Sequence, residues 1–109
     1  MKWTESVQLE MQQAREAQRQ GNGGKARTSA RRAVGLALEE LQRRFPGTTY
    51  GRDFIVQLRS LAVDPAVPAP AREAADRLQA RLTPDFLSRS VNPVEDAEII
   101  LAYIFSRLP

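Results

Sequence analysis

The chain has no cysteine and no histidine among its 109 residues. Without cysteine it can form neither a disulfide nor a thiolate metal site, and a reducing, cytoplasmic compartment is the expectation. Without histidine it lacks the commonest general base and a common metal ligand, so acid–base chemistry would need a tuned carboxylate, lysine or tyrosine. Aromatics are scarce, at 6% with one tryptophan, Trp3. No apolar run reaches the roughly 18 residues of a membrane span. The opening MKWTESVQLEMQQ also lacks the apolar centre of a signal peptide. No useful stretch alternates between apolar and polar residues, so a sheet is not expected. No internal repeat appears.

What the chain does have is helical periodicity. Within the proline-free run 1–45, the stretch 25–45, KARTSARRAVGLALEELQRRF, carries the clearest pattern. Ala26, Ala30, Ala33, Ala37 and Leu41 fall on one stripe, widened by Val34, Leu38 and Phe45. That spacing marks an amphipathic helix. Its alanine-lined first half lets a neighbouring helix approach closely. Gly35 costs about 1 kcal/mol relative to alanine inside a helix, and close backbone packing is the expected return.

The remaining segments also read as helices. Residues 3–19 form the first, with Thr4 as its expected cap and Trp3, Val7, Met11 and Ala14 along one face. Trp3 is expected to anchor the core at the helix entry. QGNGG then turns the chain, with Gly21 free to take the left-handed conformation that ends a helix. A phosphate-cradling reading of this glycine turn has no preceding strand and no Walker spacing to support it. Residues 53–61 make a short helix after the loop PGTTYGR, with Asp53 at its start. Prolines 65, 68 and 70 stiffen the next connection. A helix from Pro70 or Ala71 to about Leu82 presents Ala71, Ala74, Ala75, Leu78 and Leu82 inward, and a single turn carrying Phe86 and Leu87 follows.

Residues 92–108 are the best-marked helix. Asn92 caps it, Pro93 fits the first position, and Glu95 completes an Asn version of the capping box. Val94, Ala97, Ile100, Leu101, Ile104, Phe105 and Leu108 make the core stripe. Ile99 and Tyr103 fall on the opposite side, among Glu95, Asp96 and Ser106, and are expected to form an interface. The expected fold is therefore all-α: one domain over residues 1–109, built as an up-down bundle of four longer helices and one or two short ones.

The net charge of +3 is uneven. Residues 1–62 hold 11 Lys/Arg against 6 Asp/Glu, whereas residues 63–109 hold 5 against 7. Lys25, Arg27, Arg31 and Arg32 crowd the start of the long helix, where the dipole favours acids. Together with the loop arginines Arg52 and Arg89 they are candidate contacts for nucleic acid or a nucleotide. The bland alternative is a set of solvated faces and helix caps, and no aromatics interleave with these cations. Tyr50 could stack on a base or cover a core edge. Glu95, Asp96 and Glu98 serve as helix-start charges. No second acidic cluster accompanies them, so no metal or cofactor is expected.

The order of these features resembles the HEPN family of small helical bundles. Trp3 and its helix, GNGG, and KARTSARRAVGLALEEL look like the family's first hairpin. GTTYGRDFIVQLRSLA resembles the loop and Asp-Leu-x-x-Leu-Leu helix that follow. LQARLTPDFLSRSVNPVEDAEIILAYIFSRL resembles the closing loop and last helix. The resemblance spans nearly the whole chain. It implies a helical bundle, commonly a homodimer, often paired with a minimal nucleotidyltransferase in a two-gene, toxin–antitoxin-like system. Some members are RNases that use an arginine and, a few residues later, a histidine. Arg89 stands near that place, but SVNPVED follows it and the chain has no histidine, so the RNase motif is broken. Ser90 stands where an aromatic is usual, and Gly51-Arg52 where a histidine is common.

Two functional expectations follow. One is a non-catalytic, dimeric HEPN-like module that docks a partner protein through Ile99 and Tyr103, with a nucleotidyltransferase as the partner the resemblance implies. The other is an RNA- or nucleotide-binding protein that uses the basic helix face and the loop arginines. Neither involves a membrane, and an RNase acting without histidine ranks behind both.

Overall fold

Gly21 sets the architecture. It sits at φ 77° directly after the first helix, α1 (Trp3–Arg19). The Asn22 amide donates to Ala17 O at 2.8 Å and the Gly21 amide to Gln18 O at 3.1 Å, the paired bonds of a Schellman ending. Asn22 then opens α2 (Gly23–Arg44): its Oδ1 accepts from the Lys25 amide at 3.1 Å and its carbonyl from Ala26 at 3.0 Å. Closing one helix and capping the next within three residues folds α2 back along α1. α2 starts two residues earlier than its periodicity suggested, because the expectation omitted Asn22 as a cap.

The structure is a computed structural model that describes residues 2–47, 50–85 and 87–108. α3 (Phe54–Val63), α4 (Ala69–Gln79) and α5 (Pro93–Arg107) complete it, and the described residues contain no strand. The molecule is an all-α helical bundle. Four of the helices have 11 to 22 residues and α3 has 10. Phe86, in the short turn expected after α4, lies outside the described residues, as do Thr48 and Thr49 of the 46–52 loop. Among the described residues, no helix is long and apolar enough to cross a membrane.

One core cluster draws on all five helices. Val7, Met11 and Ala14 of α1 meet the α2 stripe, where Ala26, Ala30, Ala33 and Ala37 are all fully buried. The small side chains let the two helices pack closely, as their spacing indicated. Leu58 and Leu61 of α3, Ala71, Ala74, Ala75 and Leu78 of α4, and Ala97, Ile100, Leu101 and Ile104 of α5 fill the remainder. Val67 reaches in from the proline-rich connection. Asp64 ties that connection down, with its Oδ1 accepting from the Ala66 amide and its Oδ2 from the Tyr50 hydroxyl.

Several local expectations change. Gly35 admits a side chain rather than another backbone: a Cβ there would lie 2.0 Å from Cδ1 of Phe54, so the ring occupies that space. Thr4 does not cap α1; Lys2 holds the cap position, with no side-chain bond. Trp3 is half-buried at the core margin, 5.6 Å from the Phe105 ring. Phe45 leaves the α2 stripe, because it stands at the C-cap with non-helical backbone, 38% exposed beneath Arg107. Leu82 is 42% exposed, because α4 ends at Gln79 and Ala80 is already extended. Glu95 meets the side-chain nitrogen of Asn92 at 3.4 Å, not its backbone amide, so the capping box is only half formed.

Candidate functional site

Arg27 and Arg31 are four apart on α2 and therefore share a face. The C-terminal end of α4 lies against that face. Arg31 Nε donates to Leu78 O at 2.7 Å and its Nη2 to Ala80 O at 3.4 Å, so the guanidinium caps carbonyls that α4 leaves unpaired. α3 brings Arg59, whose Nε donates to Gln79 Oε1 at 3.0 Å. Arg81 follows directly after α4 and is exposed. The four arginines bound one cavity of about 610 Å³, with Thr28 and Ile55 between them.

No aspartate or glutamate lines that cavity. Arg31 and Arg59 bond only to neutral oxygens, and among the described residues Arg27 and Arg81 have no carboxylate partner. Asp76 is reached only through Gln79, whose Nε2 donates to Asp76 Oδ1 at 3.2 Å, and its other oxygen is taken by Arg89 at 3.2 Å. Burial first, and then the Arg27 charge, pushes the Arg31 pKa down. The guanidinium stays protonated, as arginines do. The first turn of α2 holds no acidic residue, so the positive end of its dipole adds to the same field. Uncompensated positive charge in a concave site, presented as planar N–H forks, suits phosphate oxygens.

Of the six cations singled out in the sequence, the structure gathers only Arg27 and Arg31 into this groove. Lys25 is exposed at the helix start, while Arg32 and Arg52 are exposed and do not line it. Arg89 borders a different cavity of about 440 Å³ with Arg72, Glu73, Asp76 and Arg77, where acids and bases are interspersed. Sequence reading missed Arg59 and Arg81. A partial signal existed for Arg59 alone: α3 offers it no acidic residue three or four places away, whereas Arg43 and Arg44 have Glu40.

Other candidates have structural partners. Tyr50 is 5% exposed, and burial and its bond to Asp64 raise its hydroxyl pKa, so it covers the core edge. Asp96 is nearly buried, held by Arg77 at 2.7 Å and by the Ser90 hydroxyl at 2.6 Å. Ile99 and Tyr103 are half-buried and pack against the chain's own core, not on the open face of α5 where the helical wheel put them. They lie three and seven residues beyond Asp96, on the side that meets α4 through Arg77. Among the described residues, no group of three or more acidic side chains could hold a metal ion. Comparison of the chain with family models, with curated proteins and with solved structures returned no match.

Proposed function

We propose that this chain is a non-catalytic binding module for a phosphate-bearing ligand of the RNA or nucleotide class. The observation that carries the reading is one cavity bounded by Arg27, Arg31, Arg59 and Arg81 with no carboxylate on its wall. Arginine–phosphate contact needs concave, uncompensated positive charge, and among the described residues none of the four guanidiniums has an anionic partner. The absence of histidine and cysteine supports binding rather than turnover. The order of motifs that resembles the HEPN family is compatible with the bundle. The alternative of docking a nucleotidyltransferase through Ile99 and Tyr103 has less behind it, because both residues are half-buried within this chain.

The test is RNA binding across a salt series. Three phosphates engaged on a single strand give a slope of log K against log salt of about −2. Arg27→Glu and Arg81→Glu should each weaken binding by about tenfold or more, while Arg32→Glu should have far less effect. Binding that is absent, indifferent to salt, or equally impaired by Arg32→Glu would refute the reading. A stoichiometric protein partner purified with the chain, with no RNA, would restore the docking alternative.

A further inference from the structure

The arginine groove has a neighbour. A second cavity of about 350 Å³ lies between the α1–α2 turn and the loop that leads into α5. Gly21 and Gly23 leave its floor bare, and Ala26, Leu87, Val91 and Pro93 make its walls apolar. Arg27 alone lines both cavities. Its guanidinium lies along the start of α2, so that a Cβ on Gly23 would meet Nη1 at 3.4 Å and one on Gly24 would meet Nη2 at 3.8 Å. The charged group thus forms a partition between an aliphatic recess and a cationic groove. At the mouth of the recess Leu87 is 64% and Val91 91% exposed.

We infer that the two cavities form one site for a single nucleotide unit, with the phosphate on the groove side of Arg27 and the base in the aliphatic recess. This rests on the phosphate-binding reading above and deepens it. The chemistry is complementary: a base offers apolar faces and its phosphate offers charge, and the recess and groove offer the same two properties side by side. The polar side chains of the recess are already committed. Ser90 donates to Asp96, Ser88 donates to Ser90 O at 2.9 Å, and Gln18 donates to Asn92 Oδ1 at 3.0 Å. The hydroxyl donors and one N–H of Gln18 are thus spent inside the chain, which leaves few side-chain groups to read the edge of a base, so the site selects a nucleotide by phosphate and shape more than by base identity.

Calorimetric titration at low salt with adenosine 5′-monophosphate, uridine 5′-monophosphate and inorganic phosphate tests this. The two nucleotides should bind within about threefold of each other and about tenfold or more tighter than phosphate alone. The double variant Leu87→Asn/Val91→Asn makes two exposed positions polar without adding charge beside Arg27. It should erase the nucleotides' advantage and keep phosphate binding, with its circular dichroism unchanged. Arg27→Glu should weaken all three ligands. Nucleotides no tighter than phosphate, or an advantage that survives in the double variant, would overturn the inference. If oligouridylate still bound with its salt slope in that case, the inference would fail and the broader reading would stand. If neither oligouridylate, nucleotide nor phosphate bound, both would fall.

Discussion

Asn22 and Asn92 each cap a helix through a side-chain oxygen, accepting from the amide three residues on at 3.1 and 3.0 Å. Beyond that shared start, α2 and α5 diverge. α5 continues with Pro93, Glu95 and Asp96, and Asp96 is closed in by Arg77 from α4 and Ser90 from the preceding loop. Its charges complement the dipole and each other. α2 continues with two glycines, Lys25 and Arg27, and its first turn contains no acid. Arg31 finds only carbonyls, and the docking of α3 and α4 adds Arg59 and Arg81 where acids would have been expected. One helix start is satisfied within the molecule. The other is left with uncompensated positive charge, which the proposed phosphate ligand would neutralise.

The contrast can be broken most sharply at Asp96. Asp96→Ala would leave Arg77 and Ser90 facing an empty, nearly buried position, and a loss of about 3 kcal/mol is expected in urea unfolding. A loss below about 1 kcal/mol would mean that the closed cluster holds little together. The two caps give a smaller, paired test. Asn92→Ala should cost about 1–2 kcal/mol and Asn22→Ala about 1 kcal/mol, because Asn92 also accepts from Gln18 of α1. Equal losses would remove the α1–α5 tie from the comparison. At the open end the sign should reverse. Arg27→Glu places an acid in the first turns of α2 and relieves Arg31, so stability should hold or rise by about 0.3–1 kcal/mol while ligand binding falls. A large loss of stability instead would make the groove structural.

The far end of α2 supplies the smallest effect. Glu40 is held by the Arg43 and then the Arg44 guanidinium, which lower its carboxyl pKa from 4.5 to about 2. Because the folded value lies below the unfolded one, this stabilisation is present above pH 4.5 and fades as pH falls toward 2. Glu40→Gln should flatten a shallow decline in unfolding midpoint across that window. An unchanged decline would assign it to other carboxylates.

Much of the fold was legible in the chain. The alanine stripe of α2, the left-handed Gly21, the Asp53 and Asn92 caps and the inner faces of α1 and α4 follow from helical periodicity and cap chemistry, which are local. Leu82 and Phe45 misled because a stripe does not show where its helix stops. Ile99 and Tyr103 are less open than expected because a helical wheel shows which residues share a face and says nothing of how wide a face the neighbouring helices cover.

The candidate site was legible only in part, and for the same reason. Arg27 and Arg31 share a face by their four-residue spacing, so their pairing was determined by sequence alone, together with the all-helical class and the absence of histidine and cysteine. Arg59 and Arg81 are far away along the chain, and only the packing of α3 and α4 against α2 brings them to the groove. The same packing gave Arg89 a partner in Asp76, committed Asp96 to Arg77, and set the aliphatic recess beside Arg27. Charge type is written residue by residue. Whether a charge ends up neutralised depends on which helices meet, and that was settled by burial of the common core.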